Sequence, residues 1–538
     1  MRVLLGPILL LTLGALAPHA SSQQGVKILS GDPDARDEFG ISASAHGAYL
    51  VIGAFGDDNP ENEAGAAYVF HEENGVWSPQ LKLMATDADF GDRFGAAVCM
   101  QGDRIVIGAA EDSEGTSRAG AAYIFERDGV DWVQVAKLIA SDPNVGAEFG
   151  LSVSLSGDRA IVGAPRSDVN GIGQDVGAAY IFERNGGAWT ETKRLACAVP
   201  AAYDRFGRSV AIDGDTVVVG AFGDDDNGSS AGTGYPYRYD GMDWVSEGQL
   251  LASDPGTSDQ LGIACALSGD VIVMGAWADD DDGDNSGSAY VFTRDGSTWT
   301  ESDKLIASDA STGDLFGISV AIDGDTIVVG AVGNAGAASA TGAAYRFISS
   351  DMIDWVEQER LVPFDGTDGD AFGVVAIRGH TIVVGSHSDS DADAEAGSAY
   401  IFERPRNVGQ VYCMSNPNST GNVAMLSLEG SGIVGDADLL LRTVNMPGGA
   451  SGLYFFGPNQ IQLPFGEGIR CVGGIFRRMN PPVHANGSGV ATRNFNWTAP
   501  YATSITVGAT QNFQLWYRNA AGGPNGFNMS TAVEVIWR

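Results

Sequence analysis

A Phe-Gly pair returns along this chain too regularly for coincidence, at Phe39-Gly40, Phe94-Gly95, Phe149-Gly150, Phe206-Gly207, Phe316-Gly317 and Phe372-Gly373, with Leu261-Gly262 in the remaining slot. The steps are 55, 55, 57, 55, 55 and 56 residues. Each pair leads to a Gly followed by a small residue, from Gly53-Ala54 in the first copy to Gly385-Ser386 in the last. A Gly-small-small-Tyr signal comes next, from Gly65 to Tyr68 through to Gly397 to Tyr400. Trp77, Trp132, Trp189, Trp244, Trp299 and Trp355 follow, each leading into a segment such as Lys82-Leu83 or Lys304-Leu305. Units of this length cannot bury their own apolar faces and must pack on one another.

Each copy reads as four short strands. The segment after Phe-Gly alternates, and a tight turn such as Asp213-Gly214-Asp215 returns it as a continuously apolar run, Val217-Val218-Val219. Ala-Ala-Tyr-Val-Phe supplies a third strand and the Trp to Lys-Leu segment a fourth. Four strands per copy and seven copies predict an all-β, seven-bladed β-propeller, since the common solenoid units are mostly helical or shorter. The ends agree. The seventh copy stops at Phe402 without its fourth strand, while Val26-Lys27-Ile28-Leu29 and Asp32 match the tail of one (compare Lys137-Leu138-Ile139 and Asp142). Placing that N-terminal strand in the last blade closes the ring and hides two sheet edges.

Phe-Gly followed by Gly-Ala-Pro, complete at Phe149-Gly150 and Gly163-Ala164-Pro165, resembles the FG-GAP repeat of the integrin α-subunit propeller and of many secreted bacterial proteins. The resemblance covers residues 25–404. It implies an extracellular propeller used for binding or adhesion, often with calcium in its blades. One departure is plain. The calcium-binding version carries an Asp-rich loop between Phe-Gly and Gly-Ala-Pro, whereas that stretch is a short turn in this chain (Gly102-Asp103, Gly157-Asp158, Gly269-Asp270, Gly379-His380).

The acids instead gather between the second and third strands. Asp57-Asp58-Asn59 and Asp224-Asp225-Asp226 stand there, with Asp280, Asp282 and Asp284 and the alternating Asp389, Asp391, Asp393 and Glu395. These loops share a face with the connections carrying Asp87, Asp142, Asp254 and Asp309. Calcium takes six to eight oxygens from flexible loops, so the last two groups are the candidate metal ligands. Ordinary Asp turn chemistry is the competing account, and it is favoured because no copy holds a complete calcium loop. The acid-free stretch from Val332 to Thr341 excludes a uniform metal site in every blade.

Charge narrows the partners. With 31 Lys+Arg against 68 Asp+Glu the net charge is −37, which repels nucleic acid and anionic membranes and leaves cations, basic proteins and neutral glycans. The six His (His19, His46, His71, His380, His387 and His484) form no metal-like spacing, and no hydrolase elbow, zinc-protease helix or phosphate loop appears. His387 beside Asp389 is the one pair of interest, with a solvated loop His as the simpler account.

Residues 1–22 read as an export signal: Arg2, an apolar run from Leu4 to Leu16, then Ala20-Ser21-Ser22. A linker at 405–410 precedes residues 411–538, where the period is lost and alternating runs predict a small antiparallel β-sandwich. Its Tyr412-Cys413 and Cys471-Val472-Gly473-Gly474 segments resemble a terminal module of secreted bacterial proteins. A Cys413–Cys471 bridge would close a long loop there. Cys99 and Cys265 fall on first strands and Cys197 on a fourth strand, as buried thiols. The expectation is a secreted, monomeric, non-enzymatic binding or adhesion protein without a transmembrane segment, with calcium as the candidate cofactor and an extracellular protein or glycan as partner. The alternatives are a secreted polysaccharide lyase or hydrolase with its site at the propeller mouth, and a structural surface or matrix component.

Overall fold

The computed structural model describes residues 25–536 apart from 60, 74–75, 115, 335–340, 350, 380, 404–409, 414–415, 430–439, 466–467, 475–476, 487–488, 496–509 and 520–526. The expected export signal, His19, His380 and the linker up to 409 lie outside the described residues. No described helix is long and apolar enough to cross a membrane. Two compact units divide between Glu403 and Arg404.

The first unit is seven antiparallel sheets of four strands. In the first sheet these are Ser42–His46, Tyr49–Ala54, Ala66–Glu73 and Val76–Leu83, paired in chain order. The continuously apolar second strand is buried on both faces, as Leu50, Val51 and Ile52 have no exposed surface. The seventh sheet takes its fourth strand from the other end of the unit: Val26–Ile28 pairs with Ser398–Glu403, Lys27 opposite Tyr400. Seven apolar clusters join consecutive sheets. One holds Val51 and Val69 with Phe94 and Ile105, and another returns from Val383 and Ile401 to Phe39 and Leu50. The succession therefore comes back to its start, as a seven-bladed propeller requires.

The Phe-Gly signal is explained by what it touches. Phe39 packs edge-on against Tyr68 at 5.5 Å and Phe70 at 6.0 Å, and the pattern recurs at Phe94, Phe149, Phe206, Phe316 and Phe372. Its backbone meanwhile bridges to Gly397 of the preceding sheet, and Phe94 to Gly65 likewise. The Gly of each Gly-Ala pair lets two sheets approach: a methyl group on Gly108 would collide with the carbonyl of Gly150.

In the second unit, Gln410–Cys413, Phe527–Ile536, Thr510–Arg518, Ser451–Gly457 and Arg477–Arg478 form one antiparallel sheet in that order, with Val483–His484 also on Ser451–Gly457. A second sheet holds Met425–Glu429, Leu440–Val444 and Ala491–Asn494. Leu426, Leu428 and Leu441 of one share a core with Tyr454, Phe513 and Leu515 of the other, the packing of a sandwich. Cys413 and Cys471 form the disulfide.

Candidate functional site

Strand direction brings every Phe-Gly pair, every loop between second and third strands and every connection between sheets to one face of the first unit. The acids on this face are organised around the recurring Tyr. In the first sheet, the Tyr68 hydroxyl lies 2.7 Å from both Asp32, on the connection entering the sheet, and Asp57, in the loop before its third strand. Lys82 of the fourth strand reaches the same carboxylates at 2.8 and 2.7 Å. The fifth sheet repeats this with Tyr290, Asp254, Asp279 and Lys304, and the second with Tyr123, Asp87, Asp112 and Lys137. In the seventh, Lys27 meets Asp365 at 3.1 Å and Asp389 at 2.7 Å beside Tyr400.

Where an acid is missing, the cation changes. Ser167 replaces the loop acid in the third sheet, and Arg194 stands in for lysine, 3.2 Å from Asp142. Asn334 replaces it in the sixth, and Arg360 binds both Asn334 and Asp309. In the fourth sheet Val199 occupies the connection position, and Gln249 donates to the Tyr235 hydroxyl at 3.2 Å. Sites with two acids carry lysine, and the site with Asp224 alone carries a neutral amide. In every sheet but the fourth a cation thus stands against these carboxylates. Burial opposes ionisation at both partners, yet the hydrogen bonds prevail: Lys27, Lys137 and Lys304 are held above the usual ammonium value, and Asp32, Asp87, Asp254 and Asp389 below the usual carboxylate value.

The candidate metal residues lie in different settings. Asp389 is buried against Lys27, and Asp391 lies 2.6 Å from the same ammonium, which fills the place a cation would take. Asp280, Asp282 and Asp284 are exposed along a turn closed by the Gly283 N–H on the Asp280 carbonyl. Asp393 caps the Ala394 N–H at 2.7 Å, and Glu395 faces Arg36 at 3.8 Å. Among the described residues no group of three His, Cys, Asp or Glu side chains is placed to hold a metal.

A second set of acids stands at a fixed place in the repeat. Asp37, Asp92, Asp204, Asp259, Asp314 and Asp370, each two residues before a Phe-Gly slot, are buried and accept a backbone N–H three residues upstream, at 2.8 Å for Asp37. Burial pushes Asp37 and Asp92 up to about 6, against those N–H bonds and helped by the charges of Asp57 and Asp112.

The inner rim of this face behaves differently. The residue before each Phe-Gly slot is Glu38, Arg93, Glu148, Arg205, Gln260, Leu315 and Ala371 in turn, all left-handed with φ between 53° and 60°. That conformation costs a side chain about 1 kcal/mol, so glycine would be the cheap choice at all seven positions. The residue after each Gly-small pair varies too: Phe55, Ala110, Pro165, Phe222, Trp277, Val332 and His387. Arg93 stacks over Phe55 and Arg205 over Phe222, both at 5.2 Å, and Trp277 donates to Gln260 at 3.0 Å. His387 has its Nδ1 buried without a hydrogen-bond partner among the described residues, and desolvation lowers its pKa. Arg166 pairs with Glu148 at 2.8 Å. The rim is charged around sheets one to four and uncharged around sheets five to seven.

Comparison with known proteins agrees with the repeat. The FG-GAP repeat family model matches residues 23–70, 77–125, 132–182, 189–237, 244–292, 299–347 and 355–402. No curated protein matches. The solved structure described as "Crystal structure of the Saccharomyces cerevisiae Sqt1" is similar over 72% of this chain and 100% of that chain, at 10% identity and a TM-score of 0.39, a likeness too slight to carry an argument.

Proposed function

The chain belongs to the FG-GAP repeat family, and on that premise we propose that it is a non-catalytic binding protein of the extracellular space, engaging its ligand at the inner rim of the loop-bearing face. The observation that carries this reading is the contrast between two kinds of position on one face. The Tyr, Asp and Lys positions vary together, the lysine giving way to arginine or glutamine only where one of the two acids is lost, which is structural duty. The rim positions hold Glu, Arg, Gln, Leu, Ala, Phe and Trp on a backbone that is nearly constant, and seven of them bear left-handed strain to keep a side chain. Side chains retained at such a cost, in a ring of aromatic and guanidinium groups, are the material of a recognition surface. The Cys413–Cys471 bridge accords with an oxidising compartment.

The acidic loops are read as scaffold. Each lysine occupies the centre of its carboxylate cluster, so adhesion through a bridging calcium is not part of this proposal.

Purified protein on an array of extracellular polysaccharides and matrix proteins tests the reading. Binding that is lost in F222A/W277A and kept in V130A/M242A, exposed residues of the opposite turns, supports it. Equal binding by both double variants would move the site off the rim, and turnover of a polysaccharide would replace the reading with the enzymatic one.

A further inference from the structure

Just below the rim, the residue entering the first strand of the fourth sheet is Arg208. Its N–H bonds the carbonyl of Arg205 at 3.2 Å, and the same turn places Ile41, Ala96, Leu151, Ile263 and Ile318 in five other sheets. First strands contact one another from sheet to sheet around the cycle, so these residues stand at one level on its inner side. The level is an apolar collar interrupted by one guanidinium.

The surroundings leave that guanidinium unmatched. The next residue, Ser209, turns to the following sheet and donates to the Gly262 carbonyl at 2.9 Å, which puts Arg208 on the side of the third sheet. Glu148, the acid that acts on it from there, is already committed to Arg166. Arg205 adds repulsion. Among the described residues no carboxylate or other acceptor is paired with Arg208. Water reaches its half-buried side chain, yet protein crowds it enough that desolvation holds its pKa below the usual arginine value. Its five donors have no protein acceptor there and are left to water, and the sibling positions show that an aliphatic residue fits the turn.

We propose that Arg208 receives the carboxylate of a ligand whose apolar stem lies against the collar. A planar guanidinium takes a carboxylate through two parallel hydrogen bonds, and Ile263 and Leu151 flank it for the stem. The ligand class is a monocarboxylate on an apolar stem, supplied by a polypeptide C-terminus or by a small organic acid. The proposal rests on the rim reading and deepens it.

Calorimetric titration of the full chain uses three probes: hexanoate, the peptide Ala-Ala-Leu with a free C-terminus, and its C-terminal amide. We expect one saturable site, a loss of about tenfold or more from acid to amide, and a similar loss in R208L. R208L should melt at or above the wild-type temperature, because it completes the collar; an arginine with a structural partner would give a lower one. Peptide binding without hexanoate binding identifies the polypeptide source, and comparable binding identifies the small acid. Equal affinity for acid and amide, unchanged binding in R208L, a drop in its melting temperature, or no saturable binding overturns the proposal. If F222A/W277A then abolishes array binding while R208L does not, the rim reading stands and the Arg208 inference alone falls.

Discussion

Lys27 Nζ sits 2.7 Å from the carboxylate of Asp389, joining the first strand of the repeat unit to the last sheet. The Asp389 side chain is 3% exposed and that of Lys27 12%. Removing the cation leaves a buried carboxylate without its partner, a loss of about 3 kcal/mol. K27A should therefore lower the melting temperature by several degrees in differential scanning calorimetry. The sixth sheet supplies a compensated form: K27R/D389N reproduces its Arg360 and Asn334 pairing and should recover most of the loss. A double variant no more stable than K27A would show that the cluster tolerates only its own geometry.

The pH dependence has two limbs. Asp37 and Asp92, pushed up to about 6, bind protons more tightly folded than unfolded, so their contribution to stability grows as pH falls from 7 to about 4. Asp32, Asp87, Asp254 and Asp389 are held below the usual carboxylate value. They bind protons less tightly when folded, and their contribution is lost as pH drops below about 4. Melting temperatures from pH 3 to 8 should peak on the acidic side of neutrality. D37N/D92N should flatten the limb above the peak and leave the one below it intact.

Backbone strain gives a pair of opposite outcomes. Ala371 is left-handed at φ 55° with no charge to present, so A371G should raise stability by about 0.5–1 kcal/mol in urea unfolding. Gly108 has an ordinary φ, yet its missing methyl group makes room for the Gly150 carbonyl of the next sheet. G108A should cost several kcal/mol, whereas G102A, left-handed with nothing within 4 Å, should cost only about 1 kcal/mol. Equal costs at Gly102 and Gly108 would contradict close sheet approach as the reason for the Gly-Ala pair.

Thiol counting separates the two units. Cys197 is buried, whereas Cys99 and Cys265, expected as buried thiols, are half-buried; desolvation still pushes Cys99 up, and Cys197 and Cys265 up to about 12. Ellman's reagent should find almost no reactive thiol in the native protein, three after unfolding without reductant and five with it. A fast native thiol would place one of the three at the surface.

The strands, the count of seven and the closing role of Val26–Ile28 were legible because period and alternation are local properties, repeated often enough to average out exceptions. Phe39 and Gly40 could be recognised without knowing what they touch. The roles of the acids were not legible in the same way. Lys82 and Asp32 stand 50 residues apart, in segments read separately as a strand end and a connection, and only the sheet-to-sheet offset brings them together. Their co-variation was the available signal: Arg194, Gln249 and Arg360 depart from lysine in the same sheets where Val199, Ser167 and Asn334 depart from aspartate. The rim had no signal, since left-handed backbone at Glu38 or Arg93 is not written in those residue types. Cys197 was expected on a fourth strand and lies just beyond one, Ala188–Leu195, with its thiol 3.5 Å from Asp204.

The pairing of Val26–Ile28 with Ser398–Glu403 also orders events in time. The strand made first during synthesis has no neighbour until the last strand of the repeat has been made, so six sheets can assemble as the chain lengthens while the seventh must wait. Until then the growing ring carries two open edges and cannot be a finished object at any intermediate length. Completion is a single late event that joins the first and last strands of the repeat, and a chain stopped short of residue 398 would hold Asp365, Asp389 and Asp391 but lack the strand that sets Lys27 beside them.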